Sequence, residues 1–149
     1  MNISKIILIS SLIATISCQS YNKKTDDFNQ YLMTRHHTNL QDKVYVIIPL
    51  NICGSCVDKI INMVHLYPKN LSKLTIILTD YTSITIKNKI KELPDVQVLK
   101  DNRMYIVKDY VINGDKIIII KVADKQIVNI LPYLVGENDN KIKEILSNI

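Results

Sequence analysis

Cys53-Gly54-Ser55-Cys56 stands where an apolar run, Val44 to Leu50, gives way to a helical pattern, Val57 to Leu66. Two thiols one helical turn apart at a strand-to-helix junction are suited to thiol-disulfide exchange. The first sulfur would face the unpaired N–H groups and the positive dipole end of the helix, which favour thiolate over thiol near neutral pH. Cys53 is therefore the expected nucleophile and Cys56 the resolving thiol. Two other readings fit the same residues. One is a stable disulfide or an inert pair; the other is a metal site, which needs about two more ligands beyond one CxxC. His36 and His37 are the candidates, but adjacent histidines point to different sides of a helix, so one at most could join easily. His65, near the end of the motif helix, reads as a surface residue.

The third cysteine belongs to a different pattern. Lys5 precedes an uncharged, largely apolar run from Ile6 to Ile16, followed by Ser17 and Cys18. That is the shape of a signal peptide, and the run is well short of the roughly 20 residues a membrane-spanning helix needs. Ala14-Thr15-Ile16-Ser17-Cys18 resembles a bacterial lipoprotein signal, in which a small residue precedes a Cys that becomes the lipidated first residue of the mature chain; Thr15 departs from the aliphatic residue usual there. An ordinary secretory signal with a coincidental Cys is the competing reading. If Cys18 carries the anchor, Cys53 and Cys56 remain as one pair without an odd thiol. The expected organisation is a signal peptide over 1–17, a lipidated tether over 18–25 and one domain over 26–149.

Composition supports that organisation. The chain is 47% hydrophobic, with much Ile and Val, enough for a globular core rich in strands. Its formal net charge of +5 is mild, and no dense basic block interleaved with aromatics is present, so nucleic acid is not an expected partner. Lysines such as Lys23, Lys24, Lys87, Lys89 and Lys91 read as solvated faces, or as an attraction to an anionic membrane surface.

Phe28, Tyr31 and Leu32 predict a first helix over Asp26 to His37, with Thr25 or Asp26 as N-cap. The apolar residues within Lys43 to Leu50 and within Leu74 to Leu78 are continuous and predict buried strands. Between them, Ile60, Ile61 and Val64 mark one helix face that ends near Tyr67, before Pro68. A helix capped by Thr82 or Ser83 runs to Leu93, a short strand spans Val96 to Leu99, and Asp101 to Val111 reads as a helix in preference to a strand. Ile117 to Val122 and Gln126 to Leu131, separated by Ala123-Asp124-Lys125, predict an antiparallel hairpin. After Gly136, Asn138 or Asp139 can cap a last helix carrying Ile142, Ile145 and Leu146. The tyrosines at 105, 110 and 133 read as core-edge residues. The order implies an α/β fold, a mixed central sheet with helices on both faces.

A β-α-β half whose first strand ends in CxxC, followed by a β-β-α half, resembles the thioredoxin fold over about Lys43 to Ile149. The resemblance implies a three-layer sandwich and, for lipidated members, thiol-disulfide oxidoreductases of the cell envelope, facing the periplasm or the cell surface. It implies Cys53 and Cys56 as catalytic residues, protein thiols or disulfides as partners, and no cofactor or metal. It also implies a substrate loop opposite the thiols, where Gly114-Asp115-Lys116 stands in place of the family's cis-proline. No Pro lies between Pro94 and Pro132, so a trans loop is expected. Ile52 replaces the Trp usual before the first Cys, and Ile47 stands where many members carry a buried acid, so proton transfer needs another group or water. Asp115 beside Cys53 would oppose the thiolate; Lys116 in its place would favour it. A redox-inactive binding module on the same fold, using the Asp115 side as its interaction surface, is the competing class.

Mass spectrometry of the mature N-terminus tests the lipoprotein reading. Cleavage before Cys18 with lipid on its sulfur is expected, and an unmodified N-terminus downstream of Cys18 would remove it.

Overall fold

The computed structural model describes residues 22–49, 52, 54–79, 84–93, 95–109, 114–133 and 136–149. Residues 1–21, with the expected signal peptide and Cys18, lie outside the described residues, as do Cys53, Thr82, Ser83 and Tyr110. The fold is α/β. Helix α1 includes residues 22–36, and β1 (Val44–Ile48), α2 (Gly54–Leu66), β2 (Leu74–Thr79), α3 (Ile84–Lys91) and β3 (Gln97–Asp101) follow. Then come α4 (Tyr105–Asp109), β4 (Ile117–Ala123), β5 (Gln126–Tyr133) and α5 (Asp139–Ser147).

The five strands form one mixed sheet in the order β3-β2-β1-β4-β5. β1 pairs in parallel with β2 and antiparallel with β4, so it holds the centre. All five of its residues are buried, which its unbroken apolar sequence requires of a strand covered on both faces. Alternate side chains serve two separate cores. Val44, Val46 and Ile48 join residues of α2, α3 and α5, including Ile60, Val64, Ile90, Ile142 and Leu146. Tyr45 and Ile47 join Phe28, Tyr31 and Leu32 of α1 and Ile106 of α4. Helices therefore cover both faces of the sheet.

The first helix differs from its sequence expectation before Asp26 and at its last residue. Residues 22–25 are already helical, so Thr25 and Asp26 are not caps. Thr25 is buried, and its Oγ1 accepts the N–H of Ile127 in β5 at 3.1 Å, a long-range bond with no local signature. The helix stops one residue before His37, whose backbone turns left-handed (φ 53°). β3 starts at Gln97 and runs two residues past Leu99. The hairpin loop is two residues and not three: Ala123 stays in β4, and Asp124 and Lys125 take the positive φ values (52° and 56°) of a type I′ turn. The turn is anchored where the Lys125 N–H donates to Asp42 Oδ1 at 2.7 Å. In β5, Pro132 lies on an edge strand, where a residue without an N–H is tolerated.

The ambiguous segment after β3 is helical because of one carboxylate. Asp101 is buried, and its side chain accepts the N–H groups of Tyr105 and Ile106 at 3.0 and 2.8 Å, satisfying two of the orphan donors of α4. The Tyr31 hydroxyl donates to the same carboxylate at 3.3 Å and lies 2.9 Å from His36 Nε2. With that proton given to Asp101, His36 Nε2 is the donor to Tyr31.

Burial holds His36 below its ordinary 6.5, opposed by the Asp101 carboxylate and helped by His37. The unfolded chain then binds the proton more readily, so this contribution to stability is fully present above about pH 6.5 and is lost as pH falls below it. Urea unfolding should show lower stability at about pH 5.5 than at about pH 7.5, and His36→Gln should lessen the difference. An undiminished difference in that variant would remove His36 as its source.

Candidate functional site

Parallel strands deliver their C-terminal ends to one edge of the sheet, and the chain leaves β1 for the CGSC segment at that edge. Pro49 after β1 is buried, and Ile52 is half-buried against the core shared with α2 and α5. Gly54 opens α2, so Cys53 directly precedes the helix in sequence and Cys56 is its third residue. Cys56 is half-buried and packs on the same core, while Gly54 and Ser55 are exposed. Helical spacing explains the orientation. Val57, Ile60, Ile61 and Val64 bury the face that presses α2 onto the sheet.

Three further side chains gather on this face. Lys59 lies one turn along α2 from Cys56, and its Nζ forms a 2.5 Å salt bridge with Asp139 Oδ2 at the start of α5. Tyr133, the last residue of β5, is brought there by register: it pairs with Ile117, and Ile118 pairs with Ile47. Tyr133 is buried, and Asp139 and Lys59 both act on its hydroxyl. The Asn138 side chain fixes the turn between β5 and α5 by donating to the Pro132 carbonyl at 2.9 Å, and Gly136 supplies its positive φ of 86°.

Electrostatics tie the cluster together. The hydrogen bond with Asp139 raises Lys59, and the same bond lowers Asp139. Tyr133 is raised, first by burial and then by the Asp139 charge, with Lys59 opposing and Cys56 adding to the rise. A phenol in this setting stays protonated at neutral pH and can donate or accept a hydrogen bond.

Other expected residues fall elsewhere. Ile47 is fully buried in the core of α1 and α4, across the sheet from Cys56, so an acid at this position would not face α2. His36 is bonded to Tyr31 on that same opposite side and cannot complete a metal site with Cys56. Among the described residues no three His, Cys, Asp or Glu side chains could hold a metal ion. His65 is exposed. Gly114, Asp115 and Lys116 form a turn just before β4, at the sheet edge where β1 ends, and no peptide bond among the described residues is cis. Asp115 is exposed and Lys116 half-buried. A cleft of about 450 Å³ lined by Thr25, Asp26, Asn29, Leu40, Gln41 and Lys125 lies beside the hairpin turn, at the opposite edge.

Sequence reasoning identified the cysteine spacing but not the cluster around Cys56. Lys59 was within reach, because i, i+3 residues share a helix side. Tyr133 and Asp139 carry no local signal. The pairing of β4 with β5 and the turn at Gly136 bring them in. No protein-family model, curated protein or solved structure matches this chain. Among the described residues no helix is long and apolar enough to cross a membrane.

The turn before β4 has a steric requirement of its own. A Cβ on Gly114 would lie 2.9 Å from Val107 Cγ1, closer than packed carbons allow. Gly114→Ala should destabilise the fold by about 1–2 kcal/mol, and combining it with Val107→Ala should cost less than the sum of the single changes. Additive losses in urea unfolding would show that this contact is not the cause.

Proposed function

We propose that this chain is a thioredoxin-like protein of the bacterial cell envelope, anchored by lipid on Cys18, that exchanges thiols and disulfides with protein substrates through Cys53 and Cys56. The observation that carries the reading is the place of Cys56. It lies in the first turn of α2, directly after the central strand, with a parallel neighbour on one side and an antiparallel hairpin on the other. A β-α-β unit and a β-β-α unit meet at β1, the arrangement the sequence resemblance implies. One further β-strand unit, α3 and β3, extends the parallel side.

In the proposed reaction the Cys53 thiolate attacks one sulfur of a substrate disulfide, and the other substrate sulfur leaves as thiolate. Cys56, once deprotonated, attacks Cys53 Sγ, forming the Cys53–Cys56 disulfide and releasing the second substrate thiolate. The substrate disulfide is reduced and the cysteine pair oxidised. Run backwards, the same steps oxidise a substrate dithiol.

Cys56→Ser in the full chain should trap mixed disulfides through Cys53, seen as thiol-sensitive adducts on non-reducing gels, while Cys53→Ser should trap few or none. Equal trapping by both variants, or none by either, would favour a non-catalytic binding module on the same scaffold.

A further inference from the structure

The cleft of about 450 Å³ beside the hairpin turn takes no part in the thiol chemistry, yet its walls are held in place by a set of specific bonds. Three segments distant in sequence meet there, and at each junction a side chain accepts a backbone N–H. Thr25 Oγ1 of α1 accepts from Ile127 at 3.1 Å, and Asn29 Oδ1, one turn further along, accepts from Leu40 at 2.8 Å. Asp42 Oδ1 accepts from Lys125 at 2.7 Å, and the Tyr45 hydroxyl accepts from Gln41 at 3.1 Å. These bonds fix α1, the segment before β1 and the hairpin turn against one another, and the left-handed backbone of Lys125 (φ 56°) fixes that residue within the turn. A concave site of this size, framed before any ligand arrives, loses little freedom on binding one.

The lining is polar and carries one charge of each sign. Asp26 lines it from α1 and Lys125 from the hairpin, both exposed, while Thr25 and Leu40 are buried. Neither charged side chain takes part in an ion pair among the described residues, where the salt bridges join Lys59 to Asp139 and Lys89 to Asp58. The remaining lining residues, Asn29, Asn39, Gln41 and Gln126, are all carboxamides. A carboxamide presents N–H donors beside a C=O acceptor, the same pairing that a peptide group presents in return. An uncharged sugar would leave both charges without a counterpart, and a simple anion would be repelled by Asp26.

We propose that this cleft binds a short peptide with free ends, its ammonium at Asp26, its carboxylate at Lys125 and its peptide group against the carboxamides. Because both charged side chains are solvated, each end contributes only a few-fold to affinity, and amide pairing within the fixed walls supplies the rest. The site is independent of the thiol reaction. It lies at the edge of the sheet opposite the end of β1 that leads to Cys56, since Val44 pairs with Lys121 just before the hairpin turn.

The test is an amide chemical-shift titration of the isotope-labelled full chain with alanyl-alanine. The peptide should shift the amide signals of Leu40, Gln41 and Lys125 and saturate with a Kd of about 1 mM. Acetylating its amine, or amidating its carboxylate, should each weaken binding about threefold to fivefold. Asp26→Asn should remove the effect of acetylation and leave that of amidation, and Lys125→Gln should do the reverse. The two capped peptides on the wild type keep the test open if a variant folds poorly. No shift of these amides at about 10 mM peptide, or equal binding of the free and both capped forms, overturns the proposal, as does a response to maltose as strong as that to the peptide. The expected pattern in a chain that traps no mixed disulfide upholds the peptide site and rejects only the proposed reaction.

Discussion

Everything in this molecule hangs on the double burial of β1. Five consecutive apolar side chains leave no polar face, so the strand must lie inside the sheet with layers above and below it. Burying each large side chain is worth about 1.5–3 kcal/mol, and a slip of one residue would exchange the sets facing the two cores. Val44, Val46 and Ile48 fit the side of α2 and α5; Tyr45 and Ile47 fit the side of α1 and α4, where the Tyr45 ring meets Phe28 edge-on at 5.1 Å. The same parity puts the thiol of α2 on one side and the Asp101–Tyr31–His36 network on the other. The two polar assemblies are separated by the sheet itself.

Much of this frame was legible because its signals are local. Continuous apolar runs marked β1 and β2, since parallel strands bury both faces, and the spacing of Ile60, Ile61 and Val64 marked α2. The hairpin was legible from two β-branched runs around a polar break. Its turn was misjudged by one residue, because Asp124 and Lys125 are an unusual pair for two left-handed conformations and Lys125 is steadied by Asp42 from another part of the chain. Thr25 looks like a cap in the sequence but lies within α1, its hydroxyl taken by the Ile127 N–H. The segment after Asp101 fits helix or strand equally well until its carboxylate is seen to accept two N–H groups of the next turn.

The candidate site divides along the same line. Two cysteines three apart before a helical pattern can be read from a dozen residues. The surroundings of the second cannot, because Tyr133 and Asp139 arrive through strand register and a glycine turn far along the chain. Comparison with the thioredoxin pattern directed attention to position 47, which the alternation of β1 turns away from α2. Tyr133 lies one row from Ile47 in the register but on the α2 side of the sheet, so reading one strand in isolation looks at the wrong core.

Pro132 has a bearing on how the molecule behaves in company. Sheet edges invite other strands, and a five-stranded sheet this rich in isoleucine and valine would be a willing template for aggregation. On β5 the proline removes an amide donor from the edge strand, and the bulge between Lys121 and Val122 twists the same hairpin. At the far edge, β3 is short and holds exposed Gln97 and Lys100 among its five residues. Both margins are thus poor seeds for intermolecular pairing, and copies crowded together could remain separate with their sheets closed to one another.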